Sequence, residues 1–134
     1  MISEVHKTEI SAWLRDALKK VTELAELPED WDGYGSRPIQ QKAYQQAANL
    51  LSYLSKFNLP APQIFPVPGG GVQFEWQNAK CGLEIEALPD GSIEYLIVDE
   101  RHEMREGSVT PGSFIEVDRL VNWFNRQMSS VALV

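Results

Sequence analysis

Apolar residues return at Ile10, Trp13, Leu14, Ala17, Leu18, Val21 and Leu24 within residues 8–26, the i, i+3, i+4, i+7 spacing that gathers side chains on one face of a helix. The opposite face, with Arg15, Asp16, Lys19, Lys20 and Glu23, alternates in sign and reads as a solvated surface. A second stripe, Ile39, Ala43, Ala47, Leu50, Leu51, Leu54 and Phe57, predicts a second helix. Its outer face carries Gln40, Gln41, Gln45 and Gln46 with Arg37, Lys42 and Lys56, and no acidic residue lies between positions 36 and 57. Beyond Pro60 and Pro62 the period shortens to two. Val72, Phe74 and Trp76 alternate with Gln73, Glu75 and Gln77. Cys81, Leu83, Ile85 and Ala87 alternate with Gly82, Glu84 and Glu86, and Ile93, Tyr95 and Ile97 flank Glu94. Such alternation marks antiparallel strands with one face on a core and one in water. Ile64-Phe65-Pro66-Val67 adds an edge strand, because its proline lacks a ladder donor. The expected sheet is a four-stranded meander.

Turn chemistry sets the register. Leu88-Pro89-Asp90-Gly91 suits a type I turn closed by a glycine bulge, a three-residue loop that places Glu86 opposite Glu94 and Ala87 opposite Ile93. A two-residue turn would mix the faces. In the preceding hairpin the loop is read as residues 77–80, with Phe74 opposite Leu83 and Gln73 opposite Glu84. The Gly69-Gly70-Gly71 run is a hairpin turn and not a phosphate loop, since a strand follows it. Residues 99–107 are too charged for a core and form a loop or an exposed hairpin. A last helix opens at Ser113, with Glu116 completing a capping box and Val117, Leu120, Val121, Phe124 and Met128 on one face. The apolar ending at residues 131–134 either docks or frays.

Between the first two helices lies the string Leu-Pro-Glu-Asp-Trp-Asp-Gly-Tyr-Gly-Ser-Arg-Pro, residues 27–38. Its glycines and prolines end one helix near Leu27 and open the next just after Gly35, with Ser36 as a cap and Pro38 in the first turn. The corner Trp31, Asp32, Gly33, Tyr34 and Gly35 then has its own contents. Trp31 plugs the space between the helices, and Asp32 or Ser36 accepts from the next helix's first amides. The expected fold is a single α+β domain over residues 1–134: two N-terminal helices, a four-stranded antiparallel meander and a C-terminal helix, with the helices on the apolar face of the sheet.

Composition narrows the function. The 134 residues suffice for one core without staples, and 43% apolar against 23% charged residues is ordinary for a folded domain. Nineteen acidic and twelve basic residues give a charge of −7, which argues against direct nucleic-acid or anionic-membrane binding and in favour of a basic protein partner. Three spread cations on the second helix are too thin a footprint for phosphates. One cysteine, Cys81, and an opening without a basic and apolar leader suggest the cytoplasm.

The corner motif Leu-Pro-x-x-Trp-Asp-Gly-Tyr-Gly, followed by Gly-Gly-Val-Gln-Phe-Glu-Trp, Leu-Glu-Ile-Glu and Asp-Gly-Ser-Ile-Glu-Tyr-Leu, resembles a group of small bacterial proteins without an established activity. The resemblance spans residues 27–98 and implies a bacterial or phage origin. It assigns no catalytic residue.

Motifs of chemistry mostly fail. Asp30-x-Asp32 with Gly35 at the sixth position resembles a calcium loop, but Tyr34 stands at the third ligand position and Gln41 where a bidentate glutamate is required. His102-Glu103 is half a zinc motif without its second histidine. Cys81 reads as a small buried thiol on the inward side of its strand. No cofactor is implied.

What remains is the outer sheet face, where alternation gathers Glu75, Glu84, Glu86 and Glu94 in a segment, residues 67–98, with five acidic residues and one basic, Lys80. Opposed carboxylates repel by up to ~1 kcal/mol, although glutamates on a wet sheet also resist aggregation. The expected function is a non-catalytic acidic module that binds a basic partner, in the manner of an antitoxin-like or phage-encoded inhibitor or a nucleic-acid mimic. The alternative is a small carboxylate-based hydrolase, with or without a divalent ion.

Overall fold

The structure, a computed structural model, describes residues 11–133, with side chains through residue 127. The helix positions 8–10, His6 and Val134 lie outside the described residues, and of Met128 only the backbone is described. Helix α1 spans Leu14–Ala25, α2 Gln41–Leu54 and α3 Ile115–Leu133. Between α2 and α3 runs an antiparallel sheet of β1 (Gln63–Val67), β2 (Gly71–Gln77), β3 (Gly82–Ala87), β4 (Ile93–Val98) and β5 (Met104–Ser108), paired in chain order. The α+β class and the order helix, helix, sheet, helix stand. The strand count is corrected from four to five.

One face of the sheet is dry. Val72, Phe74, Trp76, Leu83, Ile85, Ala87, Ile93 and Ile97 are buried, together with Val21 and Leu24 of α1, Ala43, Ala47, Leu50, Leu51 and Leu54 of α2, and Val117, Val121 and Phe124 of α3. The period-two stripes of the strands thus meet the 3.6-period stripes of the helices in one core. Helix α2, with Ala43 and Ala47 fully buried, packs against α1 and against strands β2 and β3. The Tyr53 hydroxyl of α2 donates to Asp118 of α3, and the Tyr53 ring tilts against Phe114, just before α3, at 4.8 Å between centroids.

The last hairpin departs from its reading in strand content. The run from 99 to 107 lacks apolar alternation, yet it turns back on β4 because Asp99 organises the turn. Its carboxylate accepts from the Arg101 and Glu103 amides, its amide donates to the Glu103 carbonyl, and His102 adopts φ 65°. A local Asx turn therefore supplies what hydrophobicity does not.

The β2–β3 register is also corrected. Trp76 pairs with Leu83, Phe74 with Ile85 and Glu75 with Glu84, because the ladder runs on to Gln77 and Gly82 and the loop is residues 78–81. Asn78 closes that loop, its side-chain oxygen accepting from the amides of Lys80 and Cys81 at 2.8 Å each. Cys81 is buried in this turn, not on the strand, and burial pushes its thiol pKa up. The shift is two residues, so the faces are preserved. The β3–β4 hairpin matches its reading: Ala87 faces Ile93 and Glu86 faces Glu94, with the Leu88 amide donating to the Ser92 carbonyl and the Gly91 amide to the Leu88 carbonyl, both at 2.8 Å.

The corner differs most. Helix α2 begins at Gln41, after an extended Gln40, so neither Asp32 nor Ser36 caps it. Trp31 is half-buried and outside the core, its indole N–H donating to the Arg37 carbonyl at 3.0 Å. Two other tryptophans act as anchors, Trp76 donating to the Pro60 carbonyl at 2.9 Å and Trp13 to that of Leu59 at 3.0 Å. The expected capping box is absent as well. Glu116 accepts from the Thr110 amide, and the Ser113 hydroxyl oxygen accepts from Ile115.

The β1–β2 turn docks on the strand-like segment before α2. The Gln40 amide donates to the Gly70 carbonyl at 3.0 Å, and a Cβ at Gly70 would lie 3.0 Å from the Pro38 carbonyl oxygen and 2.8 Å from Gln40 Cγ. Gly69 shares the positive φ, 101° against 109°, but faces open space. Gly69→Ala should therefore cost only conformational strain, roughly 1–2 kcal/mol. Gly70→Ala should cost about 1–3 kcal/mol more because backbone must give way. Urea unfolding of the two variants checks the difference, and equal losses would mean that the turn is free of the 38–40 segment.

Candidate functional site

On the outer face the register assembles two rows. One reads Gln63, Glu75, Glu84, Leu96, Glu106 and the other Phe65, Gln73, Glu86, Glu94, Ser108 across β1 to β5. All four glutamates singled out from the sequence, Glu75, Glu84, Glu86 and Glu94, lie here, and the corrected register opposes them in two like-charged pairs, Glu75 with Glu84 and Glu86 with Glu94. Strand β5 adds Glu106, a residue that sequence reasoning missed because its strand was missed. Neither row contains a basic residue.

The rows enclose a shallow hollow of about 380 Å3, lined by Gln73, Glu84, Glu86, Glu94, Tyr95, Leu96 and residues 106–108. Gln73 is its organiser. The Gln73 amide nitrogen donates to Glu84 at 2.9 Å and to Glu75, placing one dipole between two carboxylates. Among the described residues no such donor separates Glu86 from Glu94. Burial, with Glu94 and then Glu84 nearby, holds the Glu86 carboxyl above the ordinary range, and burial with Glu75 does the same for Glu84. At the β5 end the Tyr95 ring lies over Gly107, where a Cβ would meet the ring at 2.4 Å. Gly107 is the space that the ring occupies.

The corner residues Trp31, Asp32, Gly33, Tyr34 and Gly35 form a separate, self-bonded loop. Asp30 accepts from the Gly35 amide, and Asp32 accepts from the amides of Tyr34 at 2.9 Å and Ser36 at 3.3 Å and from the Ser36 hydroxyl. That hydroxyl, and then the Tyr34 amide, hold Asp32 below the usual carboxylate range. The loop's own donors engage both oxygens of Asp32 and one of Asp30. Tyr34 is 91% exposed.

Among the described residues, no group of three or more His, Cys, Asp or Glu side chains is placed to hold a metal ion, and no helix is long and apolar enough to cross a membrane. A second hollow of about 450 Å3, between Gln46, residues 90–93 and residues 109–114, is lined mainly by apolar surface. No family model, curated protein or solved structure matches this chain.

The raised carboxyl of Glu86 has a stability consequence with a definite sign. Its folded pKa lies above the unfolded value of ~4.3, so the folded state holds the proton more tightly. The resulting stabilisation is full below ~4.3 and is lost as pH rises through the folded value. Glu86→Gln should therefore melt higher than the wild type at neutral pH, by ~0.2–1 kcal/mol for relief of one opposed pair at a partly solvated site. Melting curves from pH 3 to 8 should converge at the acid end, and a constant offset would assign the effect to packing.

Proposed function

We propose that this protein is a non-catalytic binding module whose outer sheet face docks on a basic protein partner in the cytoplasm. One observation carries the reading: two directly opposed glutamate pairs share a face that has no basic residue in either central row. Folding gains nothing from such pairs, whereas a cationic partner would neutralise both at once. Regularly spaced carboxylates on a rigid sheet also suit mimicry of a nucleic-acid backbone, which fits an antitoxin-like or phage-encoded inhibitor. The resemblance of the corner motif to small bacterial proteins agrees with that setting.

A second reading, a carboxylate-based hydrolase, is favoured by Glu84 and Glu86, whose raised carboxyls hold a proton more tightly, as a general acid must, each directly opposite a second carboxylate, Glu75 or Glu94. A thermal-shift screen with divalent ions and phosphate compounds separates the two, because a ligand of the folded state alone raises its melting temperature.

The binding reading is tested by the double reversal Glu86→Lys with Glu94→Lys. The fold should survive, because Glu94 is exposed, Glu86 is half-buried, and a lysine stem carries its charge out to water. Immobilised wild type should retain basic proteins from a bacterial lysate at low salt and release them as ionic strength shortens the screening length to ~8–10 Å. The double variant should retain none of them. Equal capture by both forms would leave the glutamates as solubilising residues only.

A further inference from the structure

The two edges of the sheet are not equivalent. Strand β1 carries Pro66, which has no N–H, and α1 packs against it. Strand β5 has no proline and, among the described residues, packs substantially only on β4.

The hydrogen-bond phase of β5 can be read from both ends of its ladder. The Val109 amide donates to the Ile93 carbonyl at 2.9 Å, and the Asp99 amide to that of Glu103 at 3.0 Å. Pairs in an antiparallel ladder alternate between bonded and non-bonded, so Tyr95 with Gly107 and Ile97 with Arg105 are the bonded pairs in between. The N–H and C=O groups of Met104, Glu106 and Ser108 therefore point away from β4, to the free edge. These residues also place their side chains on the outer face: Glu106 shares a row with Glu84 and Glu75, and Ser108 with Glu94 and Glu86.

We infer that β5 is a strand-addition site for an extended basic segment of a partner protein, whose backbone pairs with Met104, Glu106 and Ser108 while alternate Arg or Lys side chains lie over the acidic rows. This rests on the proposed role of the acidic face and adds the geometry of its partner. A strand joined here sets every second side chain on the outer face, beside Glu106 and two strand spacings, about 10 Å, from Glu94, a gap that an extended arginine side chain narrows. Charge selects the occupant. A second copy pairing edge to edge would bring a chain of formal charge −7 and its own Glu106 to the same place, and the inward row would meet Arg105 beside Ile97. A basic strand meets opposite charge on the outer side and unpaired donors and acceptors along the edge.

The test uses a short synthetic peptide alternating arginine with threonine, and the same peptide N-methylated at the residues whose amides would face β5. The charge of the two is identical. Binding is followed at low salt by titration calorimetry and by hydrogen exchange of the amides at 104, 106 and 108. The unmodified peptide should bind and slow exchange at those three positions, and N-methylation should weaken binding at least about tenfold through loss of two or more hydrogen bonds. Ser108→Pro removes an edge donor without touching a ladder bond or a charge, and should reproduce that loss. Exchange rates elsewhere in the sheet show whether this variant is folded, and the N-methylated peptide tests the edge independently of it.

If both peptides bind the wild type equally and both are lost with Glu86→Lys plus Glu94→Lys, the acidic face stands as a binding surface and strand addition is overturned. If N-methylation abolishes binding but charge reversal leaves it unchanged, the edge is a strand acceptor and the acidic-face reading fails. If neither peptide binds, strand addition by a basic segment is overturned. Concentration-dependent dimerisation without peptide, removed by Ser108→Pro, would assign the edge to a second copy and overturn it too.

Discussion

The bonds that close the β3–β4 hairpin, Leu88 amide to Ser92 carbonyl and Gly91 amide to Leu88 carbonyl, determine which side chains of the sheet meet water. A slip of one residue there would carry Leu83 and Ile85 to solvent and Glu84 and Glu86 into the core. Burial of unpaired carboxylates is far costlier than any turn strain, so the hydrophobic contents of β3 and the three-residue loop enforce the same register. Once β3 is fixed against β4, the helices have one apolar surface to cover. The acidic rows are its geometric complement.

That coupling explains why the faces were legible in the sequence while the pairings were less so. Alternation reports which side of a strand is apolar, and it is blind to a shift of two. The β2–β3 loop was read one position early on each strand, because nothing in the residue types at 77–81 shows that Asn78, rather than Gln77, folds its side chain over the turn. The error left the face assignment untouched but hid the opposition of Glu75 and Glu84. Strand β5, legible only as a loop or an exposed hairpin, falls outside the expected four-stranded sheet for a different reason. Its inward positions are Arg105 and Gly107, neither of which contributes a hydrophobic signal, and its pairing comes from the Asp99 turn and from Tyr95 filling the space over Gly107. In the corner, a tryptophan among prolines and glycines looks like a plug. The loop instead closes on its own carboxylates, and the core is anchored by the tryptophans on regular elements, Trp76 on β2 and Trp13 at the start of α1.

The acidic face is held against a modest electrostatic cost. Each opposed pair costs up to ~1 kcal/mol, comparable to one or two net hydrogen bonds, and the buried apolar surface beneath outweighs it easily. Gln73 relieves one pair by donating to both Glu75 and Glu84, and among the described residues nothing equivalent relieves Glu86 and Glu94. The unrelieved pair lies on the half of the sheet toward β4 and β5, and there burial, with Glu94 and then Glu84 beside it, raises the carboxyl of Glu86. Charge is thus least compensated next to the edge with the most open backbone.

An edge strand with free backbone groups is ordinarily an aggregation hazard, and proteins blunt it with prolines, covering elements or inward charges. This sheet uses the first two at β1, where Pro66 and α1 guard the edge, and only the third at β5. Arg105, exposed on the inward row beside Ile97, discourages a second sheet from continuing the apolar face. The negative charge of the outer rows repels another copy of the same chain. Together these devices oppose homotypic pairing without closing the backbone to a strand of opposite charge. Guarding one edge by bulk and the other by charge leaves β5 selective rather than sealed, because bulk excludes every strand and charge excludes only those of like sign.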